Sequence, residues 1–468
     1  MSVEQFDLVV LGGGTGGYVA AIRASQLGLK TALVEKAKVG GTCLHQGCIP
    51  TKALLHTADL LDSFRRHDEF GITLKGEATL DYPKAQEAKQ KVVNQLWRGV
   101  QYLLKKNKVT VYEGTGRIAA AGRVTVATAK GEETIGAKDI LVATGSEPRP
   151  LPGLAFDGKR VLSSDHVLEK KDVPDSILII GGGAIGVEFA SMYCDFGSKV
   201  TLVEALPHIL PQDEAEVAAE LAKLFAKRGI TIHAGAAVDV ANVSVTGKGV
   251  KAKITRSDGQ AEELSAEVLL VAIGRQALTA NLGLEALGVT MNRGFIEVDA
   301  EYRTRAPHVS AIGDCIGGYL LAHVAAHEGM IAVEAIAGER PEALDPNRVP
   351  RVTYCRPEVA SLGLTEEQAR TTGHEVKTGV FPFRANGKSL ILGEAEGFVK
   401  LIADASTNDL LGAHIIGPHA SDLINEMALA KFLEATAWEV AESVHAHPTV
   451  SEVLHEAALV VEGRGIHV

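Results

Sequence analysis

Residues 7–35 read DLVVLGGGTGGYVAAIRASQLGLKTALVE, and residues 176–204 read SILIIGGGAIGVEFASMYCDFGSKVTLVE. A constant offset of 169 carries Gly12 to Gly181, Gly14 to Gly183, Gly17 to Gly186, Gly28 to Gly197 and Glu35 to Glu204. Each copy has an apolar strand, a GxGxxG turn and a helix-length segment, then a second strand ending in an acid 23 residues after the first glycine. That is the context of a dinucleotide-binding βαβ unit. The first glycine allows the tight strand-to-helix turn, and the second lets backbone N–H groups approach a pyrophosphate. The third lets helix and strand pack closely, and the helix N-terminus adds positive potential. The closing acid can accept hydrogen bonds from an adenosine ribose. Two matched copies predict two bound dinucleotides.

Three further segments, DILVATGS (139–146), EVLLVAIGR (267–275) and VSAIGDC (309–315), are apolar strands running into glycine turns. They serve as boundary markers for a first dinucleotide-binding domain at 1–148, a second at 149–275 and a connecting piece at 276–346. Pro341, Pro346 and Pro350 punctuate the entry to a last α/β region at 347–468. Within the first domain, helical periodicity over 50–66 aligns Leu54, Leu55, Ala58, Leu61 and Phe64. Over 84–106 it aligns Val92, Val93, Leu96, Trp97, Val100, Leu103 and Leu104. Both sets are read as core. In the last region, FVKLIAD (398–404) and LLGAHIIG (410–417) read as strands, ahead of a helix over 422–435.

At 468 residues the chain has room for about three domains. Its 46% hydrophobic and 22% charged residues exclude a disordered or fibrous protein. With 47 basic and 58 acidic side chains the net charge is −11. That balance disfavours general nucleic-acid binding, which needs clustered bases. No apolar run reaches the roughly 18 residues of a membrane span, and the N-terminus enters strand-like sequence without a cationic leader. A cytoplasmic location is the expectation. Five cysteines make no disulfide framework, and Cys194, Cys315 and Cys355 are isolated.

The chemistry concentrates in GGTCLHQGCIPTK (40–52). Pro50 and the periodicity after it predict a helix beginning near Cys43 and Cys48, whose N-terminus would favour thiolate over thiol. The spacing permits a reversible disulfide without requiring one. Zinc is the rival, but no second Cys or His pair with ligand spacing accompanies it, so no metal site is read. A thiol pair beside two dinucleotide sites suggests an electron path, and a flavin exchanges electrons with thiolates. The first site is therefore assigned FAD and the second a nicotinamide. Residues 205–214 contain no Arg or Lys to meet a 2′-phosphate, which favours NAD over NADP. Near the C-terminus, HAHPTVSE (445–452) offers imidazole with a carboxylate nearby, a pairing suited to thiol deprotonation. His445 itself is read as structural or solvent-facing.

Taken in order, the first glycine motif, GGTCLHQGCIPTK, ATG (143–145), GGGAIGVEFAS (181–191), AIGD (311–314) and HAHPTVSE resemble the flavoprotein disulfide reductases over nearly the whole chain. Within that family they resemble the branch that oxidises protein-bound dihydrolipoyl groups. The resemblance implies an α/β fold with two Rossmann-like domains, a central segment completing the FAD site and a C-terminal α+β dimerisation domain. It implies FAD on Gly12, Gly14, Gly17, Glu35 and Asp314, and NAD on Gly181, Gly183, Gly186 and Glu204. It further implies Cys43 as the interchange thiol, Cys48 beside the flavin, His447 as acid–base residue oriented by Glu452, and Lys52 near the flavin with Glu188 as its partner. A homodimer is implied, with His447 supplied across the interface, as are a lipoyl-bearing protein substrate and an acyltransferase core as partners.

Several relatives fit less well. Glutathione-type reductases usually take NADPH, against the acidic Glu204. Mercuric reductases carry a C-terminal cysteine pair and large thioredoxin reductases a redox tail, whereas the last cysteine here is Cys355. A soluble transhydrogenase would not need both Cys43 and Cys48. A flavin-bearing docking subunit would need neither the thiols nor His447 and Glu452.

Overall fold

A computed structural model describes residues 3–467. The chain divides into two compact units, one built from residues up to 53 with 83–149 and 274–344, the other from 54–82, 150–273 and 345–468.

In the first unit, strand Gln5–Leu11 lies between Thr31–Glu35 and Gly131–Val142, parallel to both. Thr110–Glu113 and Val309–Ala311 extend the parallel sheet on its two sides. A strand in a parallel sheet is covered on both faces, so its residues alternate between two cores. Val9 and Leu11 pack with Ile118, Val124 and Val126, whereas Leu8 and Val10 pack with Ala20, Ala21 and Ala24 of helix Thr15–Gln26. Strand Gly131–Val142 does two jobs. Its exposed first half pairs antiparallel with Arg123–Thr128, and its buried second half joins the parallel sheet.

The second copy of the repeat builds an equivalent sheet in the second unit. Thr231–Ala234, Lys199–Glu204, Ser176–Ile180, Val268–Val271 and Val161–Leu162 run parallel in that order. A three-stranded antiparallel meander over 237–266, not foreseen from the sequence, covers this sheet with Val250, Ala252 and Ile254. The C-terminal region is a five-stranded antiparallel sheet with helices Ala420–Phe432, Ala437–Glu442 and Glu452–Val461. The two strands read from its sequence span Phe398–Asp404 and Leu410–Gly417, as expected. The helix read at 422–435 begins at Ala420 and stops at Phe432, followed by Glu434 at positive φ.

The apolar stripes of the two inserted helices are only partly core. Leu54, Leu55, Ala58 and Leu61 of helix Cys48–Arg65 are buried, but Phe64 is exposed. In helix Tyr82–Lys106, Val93, Val100 and Leu104 are buried, while Val92, Leu96 and Leu103 are exposed. The apolar arc of the longer helix is wider than the surface it covers. Among the described residues, no helix is long and apolar enough to cross a membrane.

Candidate active site

The offset of 169 in sequence returns as matched geometry. Gly12 and Gly181 take φ of 107° and 108°, a backbone conformation that favours glycine. Their N–H groups donate to Val34 O and Val203 O at 2.9 and 2.8 Å. A Cβ on Gly17 or on Gly186 would lie 1.9 Å from the carbonyl oxygen of Gly12 or Gly181. Side chains are therefore excluded where each helix crosses its strand. At the middle glycines the opposite holds. A Cβ on Gly14 would find its nearest atom 4.0 Å away, and one on Gly183 would meet nothing within 4 Å. That open space beside a helix N-terminus suits a pyrophosphate.

The closing acids do more than expected. Glu35 accepts from Gly13 N at 2.7 Å and Ala37 N at 2.8 Å. Glu204 accepts from Gly182 N at 2.6 Å and Leu206 N at 2.7 Å. Each carboxylate pins the glycine turn to the end of the second strand, with lone pairs left over for ribose hydroxyls. The residues present fit two dinucleotides.

The three strand-to-glycine segments, weak individually, bring Ser146, Arg275 and Asp314 together in the first unit. Arg275 donates to Ser146 Oγ at 2.6 Å and to Ser146 O at 2.8 Å. Ser146 Oγ in turn donates to Asp314 Oδ2. The turn bearing Asp314 is held from behind by Glu328, whose Oε2 accepts from Gly313 N at 2.6 Å. Burial pushes the Glu328 carboxyl up to about 7, against the Gly313 hydrogen bond and with help from Asp314. Sequence reasoning missed Ser146, Arg275 and Glu328, although the first two ended segments already singled out.

Cys43 sits in the short helix Gly41–Gln46, and Cys48 opens the 18-residue helix that follows. Gly41, at positive φ, lies so near the first glycine turn that a Cβ would come 2.5 Å from Gly14 Cα. The redox loop is thereby pressed onto the first dinucleotide cradle. The two sulfurs are hydrogen-bonded as thiols rather than bridged. That hydrogen bond, and then burial, drive the Cys43 thiol well above its ordinary value, outweighing the Thr15 hydroxyl and the Lys52 ammonium. While Cys43 lies in the short helix before it, the helix expected near the cysteines begins at Cys48 and brings its N-terminus to that thiol. Lys52 lies one turn into the same helix.

In the second unit, His447 is 79% exposed and its Nδ1 lies 2.9 Å from Glu452 Oε1. Glu452 Oε2 accepts from Thr449 N at 2.8 Å, and Asn386 Nδ2 donates to Thr449 O at 3.0 Å, so the dyad is braced. Partial burial raises the Glu452 carboxyl. The Thr449 N–H, the His447 hydrogen bond and the charges of His447 and His445 outweigh it and hold the group below the ordinary range. Glu188 is buried in helix Ala184–Asp195 and accepts from Tyr354 N at 3.0 Å.

Residues 6–329 match the family described as pyridine nucleotide-disulphide oxidoreductase, and residues 349–458 match its dimerisation domain. The dihydrolipoyl dehydrogenase of Bacillus subtilis is 50% identical over 472 residues, covering 99% of each chain. That of Zymomonas mobilis is 46% identical, again over 99% of each. Among solved structures, LpdA of Mycobacterium tuberculosis matches with a TM-score of 0.89 at 30% identity, over 98% of this chain and all of that one. The flavoprotein disulfide reductase RclA of Escherichia coli matches at 0.85 and 28%, over 97% of this chain. This chain belongs to the pyridine nucleotide-disulphide oxidoreductases.

Proposed function

We propose that this protein is a dihydrolipoyl dehydrogenase, oxidising protein-bound dihydrolipoyl groups to the lipoyl disulfide with NAD+ as acceptor. The observation that carries this reading is the thiol pair of Cys43 and Cys48 set against the first of two dinucleotide cradles, the second closed by an acid. Near-full-length identity of 50% to a dihydrolipoyl dehydrogenase supports the choice of substrate. Glu204, with no basic residue in 205–214, favours NAD+ over NADP+ and so disfavours a glutathione-type reductase.

In the first half-reaction, His447 takes the proton of one dihydrolipoyl thiol through Nε2, the nitrogen left over by Glu452. The resulting thiolate attacks Cys43 Sγ of the Cys43–Cys48 disulfide, and Cys48 leaves as thiolate. The second substrate thiol displaces Cys43, closing the lipoyl ring and leaving both enzyme cysteines reduced. A bound FAD would supply two-electron transfer between Cys48 and NAD+, so that the Cys43–Cys48 disulfide is restored as NADH and a proton form. Cys48, at the N-terminus of helix Cys48–Arg65, is assigned as the donor sulfur of the reduced pair.

Gly12, Gly14, Gly17, Glu35 and Asp314 hold FAD, and Gly181, Gly183, Gly186 and Glu204 hold NAD. Lys52 stands near the flavin with Glu188 as its partner. The corresponding domains are 1–148 for FAD, 149–275 for NAD, 276–346 completing the FAD site, and 347–468 for the interface. Residues 349–458 match a dimerisation domain, which supports a homodimer in which one subunit supplies His447 to the cysteine pair of the other. The protein works in the cytoplasm as the E3 component of 2-oxoacid dehydrogenase or glycine cleavage complexes, docked on their acyltransferase core where one exists. Cys43→Ser is expected to abolish NADH formation from dihydrolipoamide. Turnover at the normal rate would overturn the assignment.

A further inference from the structure

His445 has no role in the reaction described above, and its surroundings are unusual. The side chain is only 7% exposed. Both ring nitrogens face acceptors: Nδ1 lies 3.0 Å from the Ser443 carbonyl oxygen, and Nε2 lies 2.8 Å from Glu426 Oε1. A neutral imidazole has one N–H, so one nitrogen would turn a lone pair toward an oxygen. An imidazolium donates to both, and its bond to Glu426 is charge-assisted. The geometry therefore calls for the protonated ring.

The ionisable groups around it agree. Glu426 comes from helix Ala420–Phe432, Glu452 and His455 from helix Glu452–Val461, and His447 from the intervening loop. The His455 ring lies 5.7 Å away, centroid to centroid. The Glu426 hydrogen bond pushes His445 toward its charged form, burial opposes, and Ser443 with the charges of Glu426 and Glu452 tips the balance upward.

We propose that His445 is a positioning residue: a fixed imidazolium, seated by Glu426 and Ser443 two residues from His447, that disfavours a second positive charge there. The consequence is a base that stays available at lower pH than an isolated histidine–carboxylate pair would allow. The inference rests on His447 being the proton acceptor.

The test is the pH dependence of kcat/KM for dihydrolipoamide with saturating NAD+, measured on holoenzyme. Rates are normalised to NADH–ferricyanide reduction, which needs flavin but no thiol base. His445→Asn should move the acid limb upward by about half a pH unit, the size of one nearby screened charge. Glu426→Gln, which removes the anion and keeps the ring with an amide oxygen to accept from it, should move the limb downward. It decides the matter if the Asn variant does not fold. His445→Lys, which restores a cation, should return the limb toward wild type. Superposed wild-type and His445→Asn profiles, or a Lys variant behaving as Asn, would overturn the proposal. His447→Gln separates the two claims: retained lipoyl turnover there refutes the underlying assignment as well, whereas its loss leaves His445 to be judged on the shifts alone.

Discussion

The matched cradles permit a selective lesion. Gly186 and Gly17 occupy the same place in the two repeats, and a methyl at either would lie 1.9 Å from a backbone carbonyl oxygen. Real Cβ contacts stay beyond 3.0 Å, so the helix or the strand must move by at least about 1 Å. Overpacking of that kind costs roughly 1–3 kcal/mol. Expressed wholly in dinucleotide affinity, that is about 5- to 150-fold. Gly186→Ala should therefore purify with full flavin and be reduced by dihydrolipoamide as readily as wild type, while its KM for NAD+ rises by one to two orders of magnitude. Gly17→Ala should instead purify with substoichiometric flavin, regained on adding excess FAD. Flavin content by absorbance, anaerobic reduction by dihydrolipoamide and NAD+ saturation curves separate these outcomes. Loss of flavin in Gly186→Ala, or unchanged NAD+ saturation, would refute the division of labour between the repeats.

Other expectations follow from single side chains. Lys400 is buried, with its ammonium 2.9, 3.1 and 2.7 Å from Glu214, Glu216 and Glu366. Lys400→Met leaves those carboxylates within 4.8 Å of one another, and should cost about 3–5 kcal/mol by urea unfolding. Glu214→Gln should recover part of that loss in the double variant, and strict additivity would contradict the cluster. Glu366 is held below its ordinary value by Lys400 and Arg370, so the wild-type contribution is present above about pH 4.5 and lost as pH falls through the lowered value. Glu328 titrates the other way. Raised to about 7 in the fold, it contributes stability below about pH 4.5 that is lost as pH rises toward 7, on the order of 3 kcal/mol. Glu328→Gln should flatten that stretch of the stability profile, and an unchanged slope would dismiss the assignment. Glu452→Gln keeps the hydrogen-bonding shape but not the charge, and should lower dihydrolipoamide turnover by about tenfold while sparing NADH–ferricyanide reduction.

Much of this molecule is readable in its sequence because the decisive signals are local. A glycine turn needs its glycines in a row, and so each βαβ unit could be recognised within 29 residues. The redox loop and the His447–Glu452 dyad are likewise short, since their partners lie five residues apart. What escaped depends on long-range pairing. Ser146 meets Arg275 and Asp314 across separations of more than a hundred residues. Lys400 finds its acceptors Glu214 and Glu366 far from it in sequence, so no local motif marks it. Arg356, which joins Asp62 and Asp195 at 2.7 Å each, carries no motif at all. Helical periodicity identifies the apolar faces of both inserted helices but not how much of each face is covered, and Phe64, Val92, Leu96 and Leu103 lie on the uncovered part. The buried ring of His445 looked ordinary because its acceptor Glu426 belongs to another helix.

A substrate dithiol hands its electrons to Cys43 and Cys48, and everything downstream depends on that transfer. The direct measurement is to mix oxidised holoenzyme anaerobically with dihydrolipoamide, without NAD+, then quench with an alkylating reagent and locate the label by mass spectrometry. Cys43 and Cys48 should be unlabelled before mixing and become labelled as one equivalent of lipoamide disulfide forms. Lipoamide formation with neither cysteine labelled would contradict it.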